Sequence, residues 1–321
     1  MFRKLIRQYR WLLEKYKGEY ALAIACVSVN YVVSVAPPWF AGHATDLIQK
    51  GQLTMSGLLF YVGLVLLVTA LAYGTGYLWG YYLYKGYDVA ELMARQRTAS
   101  KIFNQNAPFF LAQSTGSLMG KTTNDVNTIA EMAGFGLMAL FDSTLYQLVL
   151  IAFMAIGGSW QLTVLTVLPY PLLIYFSRKI GDYLYTEYDQ AQQAFDDIND
   201  RVLENIQGIR VVRAFAMEAE EEASFAGRSE RLYRQNMRVA RLDALFMPAS
   251  RLIQGISYVI ALTYGARLIS SGGITIGQLM AHVFYLGMLS WPMIAMGEFI
   301  NVAQQATASM DRIQEIWDWR E

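Results

Sequence analysis

Two carboxylates sit where the surrounding sequence offers almost no other charge: Asp142 and Glu298. An acid at the centre of an apolar span costs about 2.5–3.5 kcal/mol on insertion scales, so each is a candidate for binding or for tying helices together. Glu298 follows Trp291 by seven residues and Phe284 by fourteen, which puts the three along one helical stripe. Such a stripe offers aromatic surface and one negative charge, the chemistry that holds an amphipathic or cationic compound. Together with Asp142 these residues form a candidate cavity lining. A competing reading leaves Glu298 solvated near a membrane boundary and gives Asp142 to a helix–helix hydrogen bond. His282 falls roughly opposite the stripe, which suits a structural role.

Other chemistry is excluded by the residues available. The segment Gly116-Ser117-Leu118-Met119-Gly120-Lys121-Thr122 looks like a phosphate-binding loop. Three residues separate its glycines where four are required, however, and no strand precedes it. It reads as an ordinary helix start, so this chain alone is expected to bind no nucleotide and to catalyse nothing. One cysteine, Cys26, permits no internal disulfide, and two histidines far apart make no His/Cys metal site. Equal counts of 26 basic and 26 acidic residues leave no basic excess for nucleic acid.

The elements that carry these residues follow from the charge pattern. Asp, Glu, Lys and Arg are absent from 20–45, 51–84, 143–177, 252–266 and 268–297, and charged residues are only 16% of the chain. A soluble domain carries about 25%, so this is an integral membrane protein. About 20 apolar residues cross a bilayer as a helix, and Gly157-Gly158-Ser159-Trp160 breaks the longest run into a hairpin. Six spans are expected, at 20–45, 57–84, 132–156, 161–180, 247–269 and 277–300. An even number puts both termini on one side. The connections 46–56, 157–160 and 270–276 then hold one basic residue, Lys50, against six in residues 1–19 alone. By the positive-inside rule both termini are cytoplasmic, in a multi-pass protein of the cell membrane.

The inner connections, 85–131 and 181–246, are far longer than the outer ones and rich in helix formers. A helix from 57 to about 105 would be ~70 Å long at 1.5 Å per residue, well beyond the ~40–45 Å of a membrane. The spans are therefore expected to continue into a cytoplasmic helical stalk. Each excursion turns near an apolar segment, Pro108-Phe109-Phe110-Leu111 and Gly208-Ile209-Arg210-Val211-Val212-Arg213-Ala214-Phe215. Such tips either dock on another protein surface or pack within the turn. Pro37-Pro38 and Pro292 are expected to kink their helices, and Gly76 and Gly80, four apart, to permit close helix contact.

Four stretches in this order resemble the transmembrane domain of an ABC exporter of the bacterial multidrug or lipid-flippase type. LIRQYRWLLEKYKGEY, residues 5–20, resembles the family's elbow helix, which is expected at residues 1–19. FFLAQSTGSLMGKTTNDVNTI and ENIQGIRVVRAFAMEAEEEASF resemble its two cytoplasmic turns, and ATASMDRIQEIWD the end of its sixth span. The resemblance implies an all-α membrane protein, a dimer of six long helices per chain with helices 4 and 5 swapped to the partner subunit. It implies coupling helix 1 at Phe109, Phe110, Gln113, Ser114, Thr115 and Gly116. Coupling helix 2 would comprise Gly208, Ile209, Arg210, Val211, Val212, Arg213, Ala214 and Phe215. Both would dock on nucleotide-binding domains, where ATP and Mg are expected, with residues 301–321 beginning the linker. The function implied is ATP-driven export of drugs, lipids or peptides by alternating access. An ion-coupled secondary transporter or channel is the alternative, which would show interrupted helices and convergent intramembrane charges.

Overall fold

The computed structural model describes residues 2–319 and is helical, with no strand among the described residues. Two short helices, α1 (Phe2–Gln8) and α2 (Arg10–Lys15), precede α3 (Lys17–Gln49) and α4 (Met55–Phe103). Then follow α5 (Ala107–Ala112), α6 (Thr115–Gly157), α7 (Trp160–Val167) and α8 (Tyr170–Gln207). The chain continues through α9 (Ile209–Ala214), α10 (Glu218–Ser270), α11 (Ile276–Met288) and α12 (Ser290–Trp317).

Among the described residues, five helical stretches are long and apolar enough to cross a membrane: α3, α4, α6, α10 and α11–α12. The span expected at 161–180 is instead divided between α7 and α8 by Leu168 and Pro169. Pro169 and Pro171 lack the N–H groups that would carry the ladder through. A single-residue break at Leu289 likewise separates α11 from α12, three residues before Pro292. Pro37 and Pro38, by contrast, lie inside an uninterrupted α3.

Two compact units emerge, Met1–Thr166 with Ile260–Glu321 in the first and Val167–Val259 in the second. The core of the first gathers around α12. There Leu5, Tyr9 and Leu12 of α1–α2 meet Ala90 and Ala94 of α4, Ile129, Ala130 and Ala133 of α6, and a stripe on α12 from Phe299 to Trp317. On α12 the buried residues Phe299, Val302, Ala306, Ser309, Ile313 and Ile316 recur every three or four positions, one face of a helix. Fully buried alanines at 90, 94, 130, 303 and 306 let the backbones come close. In α4 the buried positions Leu83, Ala90, Ala94 and Thr98 all fall in its second half. A charge-bearing helix in water gains its stability from such a packed stripe.

α6 carries three π-turns, Lys121–Asp125, Met132–Gly136 and Asp142–Tyr146. Each admits one extra residue and re-aims the helix face, a feature often found at functional positions. The buried Lys121, Asp125 and Asp142 all lie in these turns, and all three find partners on α12.

The second unit is an antiparallel pair, α8 with the first part of α10. Gln190 meets Gln235, Asp197 meets Arg228 and Arg201 meets Glu221, so the pairing keeps a nearly constant register. Few apolar side chains are buried between two helices alone: Leu172, Tyr175, Leu245, Leu252 and Ile256 all remain exposed.

Candidate functional site

The first of the two apolar turns is built by α5. Pro108 sits in its opening turn, and Ser114 then caps α6 by accepting from the Ser117 N–H at 3.2 Å. The two phenylalanines of the tip have different fates. Phe109 is fully buried, edge-on to Trp319 with ring centroids 5.4 Å apart, while Phe110 is 50% exposed and Leu111 90%. Gln113 accepts from Lys121 at 3.3 Å; Thr115 is exposed and Gly116 has open space where a side chain would be.

Lys121 of the would-be phosphate loop is itself buried and paired with Glu315 at 3.1 Å. Its charge is spent inside the protein, and residues 116–122 do not fit a nucleotide cradle. One helical turn on, Asp125 accepts from Ser309 Oγ at 3.0 Å and from Arg312 Nε at 2.9 Å. The Asp125 hydrogen bond raises the Arg312 guanidinium further above its ordinary range. Trp317 donates its indole N–H to Thr98 Oγ1 at 3.0 Å, stacks edge-on to Trp11 and carries Arg97 4.0 Å above its ring. Lys4 and Gln8 both hold Asp311. The last turns of α12 and the residues just after it are thus gripped by α1–α2, by α4, by α5 and by the start of α6.

The second turn, α9, is made differently. It ends in a Schellman motif: Met217 N–H bonds Val212 O at 2.9 Å, and Ala216 N–H bonds Arg213 O. The left-handed position is occupied by Ala216 (φ 53°), where glycine is the usual residue. Gly208 begins the turn, its carbonyl accepting from Val211 and Val212. Ile209, Val211 and Phe215 are exposed, as are Arg210, Arg213 and Ala214, while Val212 is half-buried. Arg201 braces the base of this turn by pairing with Glu204 and Glu221.

Within the spans, Asp142 has both carboxylate oxygens satisfied. Tyr31 donates to Oδ1 at 2.5 Å and the Trp291 indole N–H to Oδ2 at 2.8 Å. The Tyr146 ring lies against Tyr31, centroids 4.9 Å apart. A buried carboxylate with two donors joins α3, α6 and α12, the helix–helix role weighed for it from sequence. Trp291, Phe284 and Glu298 are exposed; Asp142 is not, and of the three it is Trp291 that it touches. Tyr31 and Tyr146 carried no sequence signal beyond being aromatic residues in apolar spans. His282 is buried and bonds Thr166 Oγ1 at 3.0 Å.

Asp46 reaches from α3 to the start of α11. It accepts from Thr275 Oγ1 at 2.6 Å and from Gly277 N–H at 2.7 Å. A carboxylate at a helix N-terminus is stabilised by the exposed N–H groups there. Gly42 and Gly277 make this contact possible: a Cβ on Gly277 would lie 1.9 Å from Gly42 O.

The chain resembles known proteins over nearly its whole length. A family model for the ABC transporter transmembrane region matches residues 20–293. A probable multidrug resistance ABC transporter ATP-binding/permease protein of Bacillus subtilis, YheI, is 35% identical over 97% of this chain and 53% of its own length. The multidrug resistance-like ATP-binding protein MdlA of Escherichia coli is 30% identical over the same shares. An ATP-dependent lipid A-core flippase of Syntrophus aciditrophicus is 30% identical over 72% of this chain and 38% of its own length. The chain spans about half the length of the first of these relatives. With the family match covering most of the sequence and five long apolar helical stretches among the described residues to carry it, the chain belongs to the ABC transporter transmembrane region family.

Proposed function

We propose that this chain forms the membrane-spanning part of an ATP-driven exporter that moves hydrophobic or amphipathic compounds out of the cytoplasm or inner leaflet. The observation that carries the reading is the exposure of Phe110, Leu111, Ile209, Val211 and Phe215 at the turns of helices that outrun the membrane. Apolar side chains left in water at such turns favour a docking partner, and in this reading the partner is a nucleotide-binding domain. ATP and Mg act there; residues 116–122 of this chain have no part in holding them.

In the same reading residues 1–19 form an elbow helix at the inner leaflet, residues 85–131 and 181–246 the stalk, and 301–321 the start of a linker. The termini are cytoplasmic, as the basic residues of the N-terminal segment favour. The second unit supports a dimer with the fourth and fifth spans exchanged, because a helix pair with so much exposed apolar surface needs covering. The two turns then differ in duty. The first is fastened by Phe109 to the end of its own last helix and moves with it. The second presents a free apolar knob whose displacement is transmitted along α8 and α10, a rigid-body switch of the alternating-access kind. Phe284, Trp291 and Glu298 offer the exposed aromatic and acidic surface for the cargo, while Asp142 positions Trp291.

The test uses the complete gene product in lipid vesicles, with ATP hydrolysis measured alone and with hydrophobic cations. Stimulation by the compounds, abolished in Phe215→Asp and Phe110→Asp, is the expected result. A gene without an ATPase domain, together with no copurifying ATPase, overturns the reading.

A further inference from the structure

The N-terminal helices and the third span enclose an apolar groove that the export reading does not use. Two open clefts, each of about 80 Å³, share Leu13, Tyr20 and Leu137 and so adjoin one another. One end lies at Leu5 and Ile6 of α1, the other at Trp79 of α4 and Phe141 of α6. Along α6 the lining extends from Met132 to Phe141, which is ~14 Å at 1.5 Å per residue. That is about the depth of one leaflet, half of the ~30 Å hydrocarbon core.

The two tyrosine hydroxyls near the groove are already spent. Tyr9 donates to Ile129 O at 2.9 Å and Tyr20 to Ala133 O at 3.4 Å. Ile129 lies just before the π-turn Met132–Gly136 and Ala133 within it, where the shifted ladder frees acceptors for outside donors. Burial holds the Tyr9 phenol above its usual range, so it stays a neutral donor. What remains facing the groove is ring and hydrocarbon, a lining with nothing to offer a polar ligand and much to offer an alkyl chain.

Charge on the N-terminal helices selects the head group. Among the basic residues of the N-terminal segment, Lys4 is engaged by Asp311 and Arg10 by Glu14, and Glu19 is taken by Lys85. Arg7, beside the exposed Ile6, and Lys17, between Leu13 and Tyr20, are exposed and have no carboxylate partner among the described residues. Arg7, Lys15 and Lys17, three exposed cations without a carboxylate partner among the described residues, stand on the helices that line this groove and complement a phosphate with an acyl tail.

We propose that this groove is a binding site for one anionic phospholipid, its acyl chain lying between α2, α4 and α6 and its head group on Arg7 and Lys17. The site stands on the geometry of the first unit and requires neither ATP nor transport; the cytoplasmic placement of the termini only names the leaflet as the inner one. Trp79 supplies the readout. The complete protein is placed in phosphatidylcholine vesicles containing a minor fraction of acyl-brominated phosphatidylglycerol or, separately, brominated phosphatidylcholine. The fluorescence difference between the protein and its Trp79→Phe variant isolates the Trp79 signal. The expected result is quenching by brominated phosphatidylglycerol far above its bulk fraction, with an anionic preference that falls roughly 10-fold in the double variant Arg7→Gln/Lys17→Gln. Leu13→Phe, which fills the groove, removes the quenching by either lipid. The double variant changes surface residues alone and decides the matter if Leu13→Phe fails to fold. Equal quenching by both lipids, or quenching that merely follows bulk composition in all variants, overturns the proposal.

Discussion

Replacing Gly277 by alanine tests whether α3 and α11 are held as closely as their glycines allow. The added Cβ would stand 1.9 Å from Gly42 O, 2.6 Å from Gly42 C and 2.7 Å from Asp46 Cγ. Two of those three atoms are backbone, so no rotamer change relieves the overlap, and the helices must part by about 1 Å or more to reach the 3.0 Å of the tightest real contacts. Overpacking of this kind costs ~1–3 kcal/mol. The separation also stretches the Asp46 hydrogen bonds to Thr275 and Gly277, and a hydrogen bond to a charged group contributes ~1.5–3 kcal/mol. Together the loss is ~3–5 kcal/mol, or a fall in Tm on the order of 5–10 °C. Gly80→Ala is the internal control: no atom lies within 4 Å of the Cβ position there, so the change is neutral or slightly stabilising through helix propensity. Thermal unfolding of both variants in lipid, followed by tryptophan fluorescence, gives the comparison. Equal Tm values for Gly277→Ala and Gly80→Ala would refute the reasoning.

Ala216→Gly relieves a left-handed alanine at the end of α9 and is expected to stabilise the fold by up to ~1 kcal/mol, read as a rise in Tm. Phe109→Ala empties a fully buried site against Trp319 and costs ~3–5 kcal/mol, whereas Phe110→Ala, half-exposed, leaves Tm within about 1 °C of the parent. Tyr31→Phe strips one donor from the buried Asp142 and lowers stability by ~1–3 kcal/mol in thermal unfolding. Arg312→Ala leaves the Asp125 carboxylate buried beside Ser309 alone; ~2–4 kcal/mol of stability is lost, and Asp125→Asn in the same background recovers part of it.

The long helices were legible because the bilayer imposes them: a charge-free run must cross, and breaker-free flanks must continue it. The helix expected from 57 to about 105 runs Met55–Phe103. Where one hydrogen bond decides the matter, the sequence was less informative. The π-turns of α6 change no composition, so nothing announced that Lys121, Asp125 and Asp142 would each be turned onto α12. Tyr31 lies 111 residues from Asp142, a pairing that only the packing of α3 on α6 creates. Glycine spacing pointed to Gly76 and Gly80, yet only Gly76 has a neighbour from another helix, Asn30, and the closest approach is at Gly42 and Gly277. Within the stretch expected as one span at 161–180, the helix is interrupted at Leu168 and Pro169. The tips were legible as apolar turns; that Phe109 would turn inward while Phe110 turned outward depends on Trp319, more than two hundred residues away.

The claim that matters most is that the two stalk turns have unequal duties, one fastened to its own chain and one free to dock. A photo-crosslinking phenylalanine analogue placed singly at 109, 110 and 215 of the complete gene product addresses it directly. The account predicts that position 109 captures the chain's own segment around Trp319, while positions 110 and 215 capture a nucleotide-binding domain with a yield that changes when ATP is added. Capture of lipid or of the neighbouring stalk helix alone at 215, with no ATP dependence, would contradict it.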